Sequence, residues 1–187
     1  MCDRCCVADE HPGDEARARF EALAEEVVEP VRRFLARRTD PDTADDVLAD
    51  TLLVCWRRLE QVPDPALPWV YGVARNCLAN AVRGERRQHR LTARITVLDP
   101  PRESADQPDP PDVRVTAALE AVRPEDAELL RLWAWEQLSP SEIAEVLGIS
   151  ANAVSIRLHR ARGRFAEELR KIDDGAGHEG VSEGRER

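Results

Sequence analysis

Apolar residues recur at helical spacing along most of the chain. Over residues 16–38 they fall three or four positions apart, which predicts one helix with a buried face formed by Phe20, Leu23, Val27, Val31 and Leu35. Pro30 lies inside this segment, where a proline can kink or divide a helix. We find no stretch in which apolar and polar residues alternate, as they do along a half-buried strand. The pattern therefore predicts an all-α protein.

A second helix is predicted from about Ala44 to Leu59, with Thr43 as its N-cap and Asp46 completing an approximate capping box. One of its faces is apolar and suits a core, with Leu48, Leu52, Cys55 and Leu59. Another face has one leucine among charged residues and consists of Asp46, Asp50, Leu53 and Arg57. That mixture is typical of a partner-binding surface, although single exposed leucines are common. A third helix is predicted from about Pro68 to Arg90.

A proline-rich acidic segment divides the chain. Residues 99–112 combine prolines with carboxylates and cannot bury apolar surface, so we predict an extended acidic linker, to which we assign residues 95–112. A small helical domain is predicted on either side, and both termini of the chain are predicted to be disordered. The predicted boundaries are residues 1–15 (N-terminus), 16–94 (first domain), 95–112 (linker), 113–172 (second domain) and 173–187 (tail).

Several helix-boundary signals coincide in the second domain. Ser139 is a favoured N-cap, Pro140 suits the first helical position, and Glu142 stands at the third. Gly148 suits the left-handed residue that ends a helix, and a further helix is predicted from Ala151 to about Leu169. Two helices joined by a glycine turn predict a helix-turn-helix, in which the second helix enters the major groove of DNA.

The second helix of this motif has an apolar face and a cationic face. Val154, Leu158 and Ala161 are predicted to point inward. No acidic residue occurs from position 151 to 165, although the whole chain has a formal net charge of -9. A cationic helix in an acidic protein is the electrostatic pattern expected of DNA binding, with a solvated basic helix as the alternative. The candidate DNA-contacting residues are Asn152, Ser155, Ile156, Arg157, His159 and Arg160.

Three segments resemble a known family. Residues 138–150 (LSPSEIAEVLGIS) with 157–162 (RLHRAR) resemble domain 4 of the sigma-70 superfamily, although this motif alone also suits LuxR-type regulators. Residues 45–57 (DDVLADTLLVCWR) resemble sigma region 2.2, and residues 68–87 resemble regions 2.3 and 2.4. Both blocks stand in the family's order, with a linker between them. The chain therefore resembles RNA polymerase sigma factors of the extracytoplasmic-function type.

The resemblance implies a function and a set of contacts. A sigma factor binds the RNA polymerase core and directs it to promoters through the −35 and −10 elements. The −35 contacts would be the helix-turn-helix residues given above. The face of the second helix with Asp46, Asp50, Leu53 and Arg57 would dock on the clamp helices of the β′ subunit. The implied −10 contacts are Trp69, Arg75, Asn76, Asn80, Arg83, Arg86 and Arg87.

The resemblance also suggests base stacking and further partners. Trp69 and Tyr71 are candidates for stacking on bases. For Trp69, an interpretation at least as good is that its side chain packs in the core and stabilises the start of the helix. The linker resembles those that thread the polymerase RNA channel, and a plain solvated tether is the alternative. The β flap of the polymerase, promoter DNA and an anti-sigma factor are the other expected partners.

Composition excludes several other classes. No apolar run approaches the ~20 residues that span a bilayer, so we expect a cytoplasmic protein without direct membrane insertion. The negative charge argues against a protein that coats nucleic acid without specificity. We find no glycine-rich phosphate loop, nucleophile elbow or His-Glu metal motif. We therefore expect neither an enzyme nor a cofactor.

Two other functions fit part of the pattern. A free-standing helix-turn-helix regulator would bind DNA as a dimer without polymerase. The odd count of five cysteines argues against a disulfide framework, and Cys55 and Cys77 are interpreted as small buried hydrophobes. A redox or zinc sensor would use the N-terminus, where four possible zinc ligands occur: Cys2, Cys5, Cys6 and His11. Their spacing matches no common zinc site.

Overall fold

The computed structural model describes residues 12–92 and 113–176, and gives only the backbone for residues 12, 85–92 and 175–176. Within these residues the chain is helical and has no strand, which confirms the all-α prediction. It divides into two compact units, Met1–Arg102 and Glu103–Arg187, at a point inside the predicted linker. The linker itself (95–112) lies outside the described residues, as do the possible metal ligands Cys2, Cys5, Cys6 and His11.

The first unit packs three helices against one another. Helix α1 spans Pro12–Ala36, α2 spans Pro41–Arg57, a 3-10 turn spans Leu59–Gln61, and α3 spans Leu67–Thr92. In α1 the predicted face is buried at Leu23, Val27, Val31 and Leu35, while Phe20 is half-buried. These apolar residues recur once per turn, so α1 covers α2 and α3 along most of its length.

The beginning of the first unit differs from prediction in two respects. Helix α1 begins at Pro12, within the N-terminal segment 1–15 that was predicted to be disordered, and it continues through Pro30 undivided. The N-cap of α2 is Asp40 and not Thr43, because the Asp40 carboxylate accepts a hydrogen bond of 3.0 Å from the Thr43 backbone N–H. That bond lowers the pKa of Asp40. Pro41 then occupies the first helical position, where its missing N–H costs nothing.

The core of the first unit joins α1 to α3 through aromatic rings. Phe34 is fully buried, and its ring centroid lies 5.1 Å from that of Tyr71. The Arg38 guanidinium covers the Phe34 ring at 3.6 Å and donates to the Phe34 carbonyl. In α2 the buried Thr51 hydroxyl donates to the Val47 carbonyl at 2.7 Å, so this core hydroxyl is satisfied within its own helix.

The described part of the second unit, residues 113–176, contains four helices. Helix α4 spans Val113–Ala121, α5 spans Pro124–Ala134, α6 spans Pro140–Leu147, and α7 spans Ala151–Ala176. Helix α7 packs against each of the other three and continues four residues beyond the predicted domain end at 172. In the part of the chain that the structure describes, no helix is long and apolar enough to cross a membrane.

The predicted start of α6 is confirmed. The Ser139 hydroxyl accepts from the Glu142 N–H at 3.3 Å, and the Glu142 carboxylate accepts from the Ser139 N–H at 2.8 Å. Hydrogen bonding to Ser139 lowers the pKa of Glu142 below its ordinary value of 4.5. Because the folded state holds this pKa down, the stabilisation is present at neutral pH and is lost as pH falls through the lowered pKa.

The turn after α6 is also as predicted. Gly148 adopts a left-handed conformation with φ 65°, and the Ile149 N–H reaches back to the Ala144 carbonyl at 3.1 Å. This is a Schellman ending, which a residue without a Cβ adopts without strain. The Ser150 hydroxyl then caps α7 by accepting from the Ala153 N–H at 3.2 Å. The two caps fix where α6 ends and α7 begins.

Removing the α6 cap tests this arrangement. Ser139→Ala is expected to lower the free energy of unfolding of the second unit by about 1 kcal/mol, the usual loss for an N-cap serine. Urea unfolding followed by circular dichroism would measure it. Ser141→Ala is the matched control, since Ser141 is an exposed serine in the same first turn that does not serve as the cap. Equal stabilities of the two variants would contradict the assigned role of Ser139.

Candidate functional site

The outer face of α7 carries the predicted DNA-contacting residues. Val154, Leu158 and Ala161 are buried, as predicted, and anchor α7 to the rest of the second unit. The opposite face therefore points to solvent. All six candidates are exposed, and Ser155 also donates from its hydroxyl to the Ala151 carbonyl at 3.0 Å. The exposed candidates are Asn152, Ser155, Ile156, Arg157, His159 and Arg160.

The four arginines of α7 between positions 157 and 164 divide into two pairs. The Arg164 guanidinium forms an ion pair with Asp126, a buried residue in the first turn of α5. The Arg162 guanidinium lies 4.7 Å above the Trp133 ring. These two arginines hold α7 against α5. Arg157 and Arg160 lie on the exposed side and are available for contact with a nucleic acid.

A groove that the sequence analysis missed lies between α4, α5 and α7. We call it the α4–α5–α7 groove; its volume is about 670 Å³. The Arg131 guanidinium stands 5.8 Å from the Trp135 ring at one wall, and His159 contributes to the lining from the α7 side. Trp133 is partly exposed. The apolar lining comes mainly from Val115, Leu119, Leu130, Trp133, Trp135 and Phe165.

The outer face of α2 exposes the four residues of the predicted partner-binding surface. Asp46, Asp50 and Arg57 are exposed, and Leu53 leaves 44% of its surface open to solvent. Trp56 was not predicted as part of this surface; it is 45% exposed and packs edge-on against Phe20 of α1 with a centroid distance of 5.2 Å. An exposed leucine and tryptophan three residues apart form an apolar strip beside the charges.

The predicted −10 residues lie along α3, and most of them share one face. Asn76, Asn80 and Arg83 are exposed, and Arg83 donates to the Asn80 side-chain oxygen at 2.6 Å. Trp69 is half-buried and precedes Asn76 by two turns on the same face. Arg75 is exposed, about 100° further around the helix. Arg86 and Arg87 fall in the last turns of α3, where only the backbone is described.

One stacking candidate is wrong. Tyr71 is 4% exposed and packs its ring on Phe34, so it belongs to the core of the first unit. Tyr71 lies on the same buried side of α3 as Val70 and Ala74, and that side packs against α1. Trp69 keeps part of its surface open and remains the stacking candidate on this helix.

The two described cysteines are structural. Cys55 is fully buried, as predicted, and burial raises its pKa to about 11. Cys77 is half-buried, and burial also raises its pKa. Because the thiolate is the reactive form, a raised pKa disfavours reaction of either thiol at neutral pH.

Comparison with known proteins decides the family. Residues 112–165 match the family described as "Sigma-70, region 4". The RNA polymerase sigma-E factor of Streptomyces coelicolor is 32% identical over 138 residues, which are 72% of this chain and 77% of that protein. The ECF RNA polymerase sigma factor SigL of Mycobacterium tuberculosis is 29% identical over 150 residues, which are 77% of this chain and 85% of that protein. This chain belongs to the extracytoplasmic-function sigma factors.

The similarity extends to longer relatives and to solved structures. A Xanthomonas campestris relative, "Probable RNA polymerase sigma factor RfaY", is 32% identical over 146 residues, which are 72% of this sigma factor and 36% of that protein. The Bartonella quintana sigma factor RpoE, solved in complex with the anti-sigma factor NepR, has the same fold. Its TM-score is 0.61 at 20% identity, covering 81% of this chain and 96% of that one.

Proposed function

We propose that this sigma factor directs RNA polymerase to promoters with α7 as its −35 reader. This assignment is based on the outer face of α7, which exposes arginine, asparagine and serine side chains. The glycine turn between α6 and α7 fixes where this helix begins. Asparagine pairs with adenine and arginine with guanine in the major groove, and arginines also bind phosphate. The chemistry of initiation then belongs to the polymerase, in the cytoplasm.

The −10 element is assigned to the outer face of α3. Asn76, Asn80 and Arg83 offer amide and guanidinium groups along one stripe. Single-stranded bases can pair with such groups and stack on an aromatic ring, for which Trp69 is positioned two turns earlier. The Arg83–Asn80 hydrogen bond orients the amide before DNA arrives. Arg86 and Arg87 would extend this stripe toward phosphates.

The outer face of α2 is assigned to the β′ clamp helices of the polymerase. Its exposed leucine sits among charges of both signs, which is the composition of an interface with an apolar centre and a polar rim. Trp56 adds an aromatic group of the kind that carries much of the energy of protein interfaces. We include it with Asp46, Asp50, Leu53 and Arg57.

The α4–α5–α7 groove is assigned to an apolar helix of the polymerase β flap. Its aromatic walls suit a helix that inserts large apolar side chains, because such grooves bind amphipathic helices by burying one face. The groove opens beside His159, at the edge of the proposed DNA face. Occupation of the groove would therefore hold the polymerase next to the −35 contact.

Truncating the groove tryptophan tests this assignment. Trp133→Ala is expected to weaken binding to core polymerase by about tenfold, as truncation of an aromatic hot-spot residue commonly does. The effect should disappear with a core that lacks the flap tip. Val113→Ala is the matched control, because Val113 is an exposed apolar residue of the same unit that does not line the groove. An equal loss with and without the flap tip would count against the assignment.

An anti-sigma factor is the remaining proposed partner. The Bartonella quintana relative was solved with one, and this sigma factor exposes two apolar surfaces, the strip on α2 and the groove in the second unit. A protein that covers either surface would exclude polymerase from it. We therefore propose that regulation acts by competition for these surfaces.

The deciding experiment is run-off transcription by purified core polymerase on a library of genomic fragments. With this sigma factor added, we expect new transcripts that share −35 and −10 elements. Core that co-migrates with the chain but yields no transcripts would point to a missing signal. No transcripts and no co-migration, with DNA binding retained, would favour a free-standing regulator instead.

A further inference from the structure

Ile156 is an unusual residue for its position. It lies in the second turn of α7 and leaves 46% of its surface exposed. The apolar residues on either side of it, Val154 and Leu158, are buried in the core of the second unit. Ile156 is therefore not one of the buried residues that anchor α7, and its exposed apolar surface is available for another contact.

The surroundings of Ile156 are polar on the helix surface. Asn152 lies one turn before it, and His159 and Arg160 lie one turn after it, all exposed. Residues three or four positions apart are neighbours on a helix, so these side chains frame the isoleucine. Each of them can donate a hydrogen bond to a base or a phosphate. Ile156 is the apolar centre of a hydrogen-bonding face.

The major groove offers one apolar group to such a residue. Guanine, cytosine and adenine present only donors and acceptors there, whereas thymine also presents its C5-methyl group. A β-branched side chain has few rotamers in a helix, so it loses little freedom when it contacts a surface. Opposite guanine, cytosine or adenine, Ile156 would bury a polar base edge without a hydrogen bond, which is costly.

We propose that Ile156 packs on the methyl group of a thymine in the −35 element and selects an A·T pair at that position. This inference rests on the proposed function, since it requires α7 to lie in the major groove. It goes beyond it by naming the base and the atom that one residue reads. The polar neighbours of Ile156 set the register, and the isoleucine rejects pairs that lack the methyl group.

Replacing thymine by deoxyuridine isolates the methyl group, because every hydrogen-bonding group is retained. Holoenzyme binding would be measured on a promoter obtained by run-off transcription, with each −35 thymine of either strand replaced in turn. At one position the wild-type protein is expected to bind the uracil duplex about fourfold more weakly, which is the effect of losing one buried methyl group. Ile156→Ala should bind the two duplexes equally there, and Ile156→Val should keep most of the preference.

The controls separate this inference from its premise. Val113→Ala removes another exposed apolar side chain and should keep the wild-type thymine preference. Circular dichroism would establish that each variant is folded. If wild-type holoenzyme binds every uracil duplex as tightly as thymine, or if Ile156→Ala keeps the preference, the inference is wrong although α7 still reads the −35 element. If wild-type holoenzyme does not distinguish the promoter from a scrambled −35 sequence, the proposed function fails as well.

Discussion

Replacing Leu53 with aspartate is expected to weaken binding to core polymerase by about thirtyfold, the effect of losing a central hot-spot residue worth ~2 kcal/mol. The side chain is 44% exposed on the outer face of α2 and is not one of the buried core residues of the first unit. In the complex, a carboxylate at this position would lose its hydration where the leucine makes apolar contacts. Fluorescence anisotropy of labelled protein titrated with core would measure the change, and thermal unfolding should stay within a degree or two of wild type.

A charge reversal on the same helix provides the matched comparison. Asp50→Arg should also impair core binding, because it changes the charge beside Leu53. Asp45→Arg makes the same charge change on an exposed residue of α2 that lies about 140° around the helix from Asp50. We expect Asp45→Arg to bind core normally. Wild-type affinity for Leu53→Asp and Asp50→Arg would remove α2 from the polymerase interface.

Replacing Arg157 and Arg160 together with alanine is expected to weaken promoter binding by about a hundredfold, roughly tenfold for each charged contact. Both side chains are exposed on α7, whereas Arg162 and Arg164 are engaged with Trp133 and Asp126. If either arginine binds phosphate, its loss also reduces the slope of log affinity against log salt by about 0.9. Binding isotherms at several salt concentrations would give both quantities.

The single variants distinguish reading from positioning. An arginine that binds guanine loses discrimination at one base pair when it is removed, whereas one that binds phosphate loses affinity equally for all sequences. Arg170→Ala is the matched control, since Arg170 is an exposed arginine of α7 that donates to its own helix at the Ala166 carbonyl. Unchanged promoter affinity in both single variants would show that the exposed face of α7 is not the −35 reader.

Features decided by neighbouring residues were predictable from the sequence. The capping box at Ser139 and the left-handed Gly148 were predicted correctly, because each depends on hydrogen bonds within a few positions. The buried faces of α1 and α7 followed from helical spacing. The start of α2 also depends on neighbouring residues, yet Thr43 and not Asp40 was predicted as its N-cap. An aspartate directly before a proline at the first helical position was the stronger signal.

Features decided by the meeting of helices were not predictable in the same way. Tyr71 was a stacking candidate because tyrosine suits both a core and a base, and only the packing of α3 on α1 placed its ring against Phe34. The α4–α5–α7 groove was missed because Trp133 and Phe165 lie far apart in sequence and come together only through the packing of α5 on α7.

The sequence by itself determined the all-α class, the helix-turn-helix with its exposed face, and the family to which the chain belongs. These features depend on periodicity and on short motifs, which involve residues close together in the sequence. The tertiary structure decided which aromatic rings are buried, which arginines are already engaged, and where an apolar groove opens. Those depend on how helices cross, and the crossing is a property of whole packed faces that no single segment of the chain specifies.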